Sequence, residues 1–187
     1  MTSKDIQQHL QAFLYENHPY QTLNFGRCGY HEADVFMINK NTMRVKEFEV
    51  KISLSDFKAD FKKKHKHLNL AARKNNLHTY IPSQFYYACP DGLISIDLIP
   101  EYAGLVYVKP DGSIEYIKEA PVLHKDKVSE KTLLGVLENL TAHRIFGCQW
   151  MTHQNKLANE RWQRIEAERK QRTADFIAHA KQLKANA

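Results

Sequence analysis

Within Glu47-Phe48-Glu49-Val50-Lys51, two carboxylates and an ammonium occupy alternate positions. Alternate side chains of an extended strand share a face, so Val45, Glu47, Glu49 and Lys51 point one way and Lys46, Phe48, Val50 and Ile52 the other. Carboxylates crowded on one sheet face repel one another unless a cation lies among them. Mg²⁺ takes one or two carboxylates together with waters and phosphate oxygens. Such an ion polarises a phosphate and lowers the pKa of a water, and a lysine beside it can orient that water or neutralise charge developing in the transition state. Phosphodiester hydrolysis is the chemistry this set suits. Glu-x-Lys on its own is a very weak signal and is more often a solvated sheet face. An acid on the preceding strand, an apolar reverse face and a basic helix immediately afterwards favour the catalytic reading.

The elements that must hold these residues are legible around them. Ala33 to Ile38 and Met43 to Ser53 are rich in β-branched and aromatic residues, and Asn39-Lys40-Asn41-Thr42 between them reads as a turn, which predicts a β-hairpin. If it is symmetric about that turn, Asp34 stands opposite Glu47 and diagonal to Glu49. Cβ separations of roughly 5 Å and 7 Å in such pairs would let two carboxylates share an ion. Ser55-Asp56 then opens an amphipathic helix with Phe57, Phe61, Leu68 and Ala72 along one stripe and Lys58, Lys62, His65 and Asn69 along the next.

Elsewhere the pattern predicts a first helix over about residues 4 to 16 with Ser3 as N-cap, and a strand over Phe85 to Cys89. A second hairpin joins Gly104–Val108 to Ile114–Lys118 through Lys109-Pro110-Asp111-Gly112-Ser113, and a helix capped by Ser129 ends near Gly147. A polar stretch from His153 onward carries unevenly spaced apolar residues and reads as a helical arm or oligomer contact. The expected organisation is one domain over 1–150 with a C-terminal helical extension over 151–187.

The 187 residues carry a net charge of +6. Its placement is more telling than its size. Lys58, Lys62, Lys63, Lys64, Lys66, Arg73 and Lys74 face a single acid, Asp60, between residues 58 and 78, a local excess equal to that of the whole chain. A polyanion such as DNA is the partner this implies. Met1 to Ile6 lacks a basic segment leading into an apolar run, and no stretch is apolar for the ~20 residues that span a bilayer, so a cytoplasmic protein without a membrane partner is expected. Cys28, Cys89 and Cys148 lie far apart and match no paired zinc spacing, which predicts reduced thiols.

The chain resembles the PD-(D/E)XK nuclease superfamily, and within it the MmcB-like DNA-repair proteins and related phage-type proteins. Glu32-Ala33-Asp34-Val35, the run from Glu49 to Asp60, the run from Phe85 to Ile94 and the run from Pro100 to Val108 carry the likeness. It implies an α/β, restriction-endonuclease-like core, a central mixed β-sheet flanked by helices. It further implies Asp34 and Glu49 as metal ligands, Val50 adding its backbone carbonyl, and Lys51 as the catalytic lysine. Ala33 stands where the family name advertises a proline.

The expected function is therefore a Mg²⁺- or Mn²⁺-dependent deoxyribonuclease of DNA repair, recombination or phage DNA metabolism, leaving a 5′-phosphate. Glu47 and Glu16 are second-metal candidates, each set against a plain surface acid. Lys58, Lys62 and His65 are the expected phosphate contacts. A homodimer is expected, because cuts on antiparallel strands call for sites related by a twofold axis. Two rival readings share the fold: a DNA-binding module without turnover, and a phage-encoded interaction protein.

Overall fold

The computed structural model describes residues 1–73, 75, 80–145 and seven positions between 163 and 172. The chain divides into two compact units, Met1–Leu140 and Thr141–Ala187. In the first, six strands form one mixed sheet in the order β1-β2-β3-β4-β5-β6. β1 (Tyr20–Phe25), β2 (Ala33–Ile38) and β3 (Val45–Val50) are an antiparallel meander. β4 (Gln84–Pro90) and β5 (Ala103–Val108) follow parallel to β3, and β6 (Ile114–Lys118) returns antiparallel. A parallel step needs a crossover, and α2 (Leu54–Asp60) and α3 (Lys64–Ala72) provide it between β3 and β4.

Both faces of the sheet are covered, which is why its central strands are apolar on both sides. α1 (Ser3–Leu14) sets Ile6 and Leu10 against Val35, Met37, Phe48, Val50, Tyr86 and Val106. On the other face Phe57 of α2 and Leu70 of α3 pack on Phe85, Tyr87 and Leu105. A further helix, α4, spans residues 130–145, and its Val136 joins Phe25, Phe36, Ile38 and Val45 on that same side. Between these two apolar clusters runs a polar strip made of Asp34, Glu47 and Glu49.

Several expectations are corrected. The N-cap of α1 is Thr2, not Ser3, in a capping box with Asp5, and the helix stops at Leu14. β1 was not anticipated: Gln21 and Thr22 are buried polar residues and Asn24 has φ 50°, so no alternation marks the strand. The loop between β2 and β3 is longer than the turn expected. Asn39 Oδ1 accepts the amides of Asn41 at 3.1 Å and Thr42 at 2.9 Å, Met43 adopts φ 56°, and β3 begins only at Val45. Val35 consequently pairs with Phe48 and Phe36 with Glu47. Continued by one residue, this register sets Asp34 directly across from Glu49, not across from Glu47.

The single basic helix is two helices. Ser53, not Ser55, caps α2, accepting the Asp56 amide at 3.1 Å. The Lys62 and Lys63 amides reach back only three residues, to Ala59 O at 3.1 Å and Asp60 O at 2.9 Å, and Lys63 leaves helical geometry at ψ 58°. α3 therefore buries Lys66 and Leu70 and leaves Leu68 66% exposed, which breaks the expected stripe.

The strand over Gln84–Pro90, the β5–β6 hairpin and the Ser129 cap follow the sequence pattern, the last with Ser129 Oγ accepting the Thr132 amide at 3.2 Å. Cys28 and Cys89 are free thiols, Cys89 buried and Cys28 half-buried; Cys148 lies outside the described residues. The helix end near Gly147 and the boundary at 150 also fall outside them, while the described positions between 163 and 172 are helical. No helix among the described residues is long and apolar enough to cross a membrane.

Candidate functional site

At the end of β3 nearest α2, the recorded β2–β3 pairing stops at Val35 and Phe48. Beyond it the Val50 amide donates to Asp34 Oδ2 at 2.7 Å, so a side chain takes the place of a strand partner. Asp34 and Glu49 share a face at this parting of the strands. Burial and the Glu49 charge, only partly offset by the Val50 amide, push the Asp34 carboxyl up to about 6. A carboxyl raised in this way has too little positive charge around it.

Glu49 is surrounded by ammonium groups. Its Oε1 lies 2.9 Å from Lys51 Nζ and 3.0 Å from Lys63 Nζ, and its Oε2 lies 2.8 Å from Lys66 Nζ. Burial alone would raise its pKa, but Lys66 and Lys51 outweigh burial and the Asp60 charge and hold it below the ordinary value. Asp60, delivered by the last turn of α2, binds the same cations, with Lys51 Nζ at 3.3 Å and Lys63 Nζ at 3.0 Å. Tyr87 donates to Asp60 Oδ2 at 3.1 Å, and His67 Nε2 lies 3.4 Å from that oxygen. Burial opposes ionisation of Asp60 as well, yet His67, Lys63 and Lys51 together keep its pKa depressed. Lys51 is thereby oriented from two sides, and its pKa is raised because Glu49 and Asp60 overcome the effect of burial.

Glu47 sits one pleat back on the same face. Its Oε1 lies 2.8 Å from Lys66 Nζ, yet burial still pushes its carboxyl up to about 7. Among the described residues, no group of three or more His, Cys, Asp or Glu side chains converges on a point where an ion could sit.

Asp34, Glu49 and Lys51 lie at one strand end, in a register other than the one expected, and Val50 turns its side chain to the α1 side of the sheet. Glu47 is on the carboxylate face but is engaged with Lys66. Glu16 is exposed in the turn after α1, a helix that covers the opposite face of the sheet, so it does not join the cluster. Lys58, Lys62 and His65 are all exposed, but the helix break distributes them over α2, the connecting turn and α3 rather than along one stripe. Lys62 and His65 line a cleft of about 480 Å³ with His31, Glu32, Lys63, Lys64 and Lys66, of which Lys63 and Lys66 also reach Glu49.

Sequence reasoning missed Asp60, Lys63, Lys66, His67 and Tyr87. A signal for Asp60 was present, since it is the single acid in a run of cations. For Lys66 the signal was its i, i+4 relation to Leu70, which places both on the buried side of a helix that restarts at Lys64.

No protein-family model matches the chain, and no curated protein matches it. It is similar to a solved structure of a protein of unknown function from Silicibacter pomeroyi, at 18% identity, covering 76% of this chain and 82% of that one, with a TM-score of 0.47.

Proposed function

We propose that this chain is a divalent-metal-dependent deoxyribonuclease of restriction-endonuclease-like fold, with Asp34, Glu49 and Lys51 at its centre. The observation that carries the reading is the facing of Asp34 and Glu49 where β2 and β3 part, with Lys51 2.9 Å from Glu49 and a lysine-lined cleft alongside. Two of these features speak for an ion. Asp34 is a half-buried carboxyl short of positive charge, and its Oδ1 makes no hydrogen bond among the described residues. The donors available are all oxygen. With only two carboxylates facing each other, an ion here would rest on Asp34, Glu49, the Val50 carbonyl and waters, which is how Mg²⁺ and Mn²⁺ are commonly held.

A bound divalent ion supplies charge for the scissile phosphate and acidifies a water. The residues of this chain do the rest. Asp60 and Glu49 hold the Lys51 ammonium charged and in place, so that it meets the charge that builds on the phosphate oxygens and leaving group. Lys62, Lys64 and His65 approach the phosphate backbone from the cleft, and Lys58 reaches it from α2. Lys63, with a side chain 53% exposed, can leave Glu49 for a phosphate when substrate arrives.

A second reading is a DNA-binding module without turnover. It is favoured by the three ammonium groups on Glu49, which neutralise that carboxylate with no ion present. Thermal melting in chelator and then in Mn²⁺ separates the two. A nuclease site saturated to a hundred times its Kd gains about 2.7 kcal/mol, an increment that disappears in Glu49→Gln. A melting temperature that ignores Mn²⁺ in the wild type favours the binding module.

A further inference from the structure

Lys66 pairs with two carboxylates of the sheet face, Glu47 and Glu49, at once. Its Nζ lies 2.8 Å from Glu47 Oε1 and 2.8 Å from Glu49 Oε2, and donates to the Glu32 carbonyl at 3.3 Å. Its hydrogen bonds go to Glu49 Oε2 and the Glu32 carbonyl, while Glu47 Oε1 is held by charge and lacks hydrogen-bond geometry. The Phe85 ring closes the site, its centroid 5.1 Å from Nζ. The side chain is 3% exposed, although it contributes to the wall of the cleft. Lys63, the other helix-borne cation on Glu49, is 53% exposed and free to swing outward.

We infer that Lys66 is a built-in cation standing where a second metal ion would otherwise bridge Glu47 and Glu49, so that the site takes a single divalent ion, on the Asp34 side of Glu49. This rests on the nuclease reading above and restricts it. Glu49 Oε2 is closed by a buried ammonium, and the only other carboxylate within reach of that ammonium, Glu47, is tied to it as well. Removing Lys66 leaves Glu47 uncompensated and opens Oε2 of Glu49, which keeps Lys51 and Lys63 on its other oxygen, and either protonation of Glu47 or a new cation relieves that costly state. Glu47 is accordingly a counter-ion of Lys66 and not a metal ligand, and Lys66 acts on the ion through Glu49 as a positioning residue.

The test is a Mn²⁺ titration of the chelator-stripped full-length protein, counting bound ions by the loss of the free-ion electron paramagnetic resonance signal. One Mn²⁺ per chain is expected in the wild type and equally in Glu47→Gln. Lys66→Met is expected to bind a second Mn²⁺; should that variant not fold, the wild type and Glu47→Gln still decide. Two ions in the wild type that fall to one in Glu47→Gln, or one that falls to none, overturn the inference and leave the nuclease reading standing. No bound Mn²⁺ in the wild type removes the nuclease reading and this inference with it.

Discussion

The Asp34 carboxylate accepts the Val50 amide at 2.7 Å, so an acidic side chain terminates the ladder between β2 and β3. The bond fixes one oxygen of Asp34, and the other makes no hydrogen bond among the described residues. Against the pull of this bond, burial and the Glu49 charge give Asp34 an unusual dependence on pH. The Asp34 carboxyl is raised from 3.8 to about 6, chiefly by burial and secondly by the Glu49 charge. Between these values the folded protein holds a proton that the unfolded chain has released. Stability from this group is therefore full below pH 3.8 and is lost as pH rises through about 6. Glu49 and Asp60, whose pKa values are lowered, act in the opposite sense and lose their contribution as pH falls.

Comparison with Asp34→Asn isolates the term. In chelator, the stability of the wild type relative to this variant should decline from pH 4 to pH 6.5 by at most about 3 kcal/mol. Urea melts across that range check it. Saturating Mg²⁺ should remove the decline, because an ion on Asp34 supplies the missing charge.

Lys51→Met should abolish cleavage while Mn²⁺ binding persists, since its ammonium is assigned to the transition state and not to the ion. The variant should lose about 1–3 kcal/mol of stability, less than a fully broken buried pair, because Glu49 retains Lys63 and Lys66 and Asp60 retains Lys63. Single-turnover cleavage and calorimetric Mn²⁺ titration report the two effects separately.

Lys58 and Lys62 are exposed and outside the carboxylate cluster. Neutralising both should weaken DNA binding in chelator without regard to sequence and reduce the slope of log K against log salt by about one unit per lost phosphate contact. Fluorescence anisotropy over a salt series measures it. An unchanged slope would place the DNA on another surface.

Gly104 of β5 pairs with Tyr86 of β4, and a Cβ there would stand 2.4 Å from the Tyr86 ring and 2.7 Å from the Ala120 amide nitrogen. Tyr86 cannot easily yield: it stacks on Phe48 at 5.2 Å and its hydroxyl donates to Glu119 at 2.7 Å. Gly104→Ala should destabilise by about 1–3 kcal/mol, read as a lower urea midpoint at unchanged m.

What could be read from the sequence follows from how local each signal is. β3 was legible because Glu47, Glu49 and Lys51 alternate with Phe48 and Val50, and the β5–β6 hairpin because Pro110-Asp111-Gly112 punctuates it. The β2–β3 register was not, because Asn39 organises a longer loop through its side chain and Met43 adopts a left-handed backbone. β1 was hidden because its buried polar side chains find distant partners, Thr22 donating to Asn139 Oδ1 at 2.6 Å and Gln21 to the Gln11 carbonyl at 3.0 Å. In the basic run, Lys62, Lys63, Lys64 and Lys66 are alike in composition. Only the break before α3 makes Lys66 a buried counter-ion and Lys62 an exposed one.

In the proposed function, Glu49 and a divalent ion act together on DNA. The most direct measurement incubates the full-length wild type and Glu49→Gln with labelled duplex, single-stranded, branched and mismatched DNA, in Mn²⁺ and in chelator. Cleavage of at least one substrate by the wild type in Mn²⁺, leaving 5′-phosphate ends, is expected, with none in chelator or by Glu49→Gln in either condition. Cleavage that survives chelation or the loss of Glu49, or a wild type that binds these DNAs in Mn²⁺ and cuts none, would contradict it.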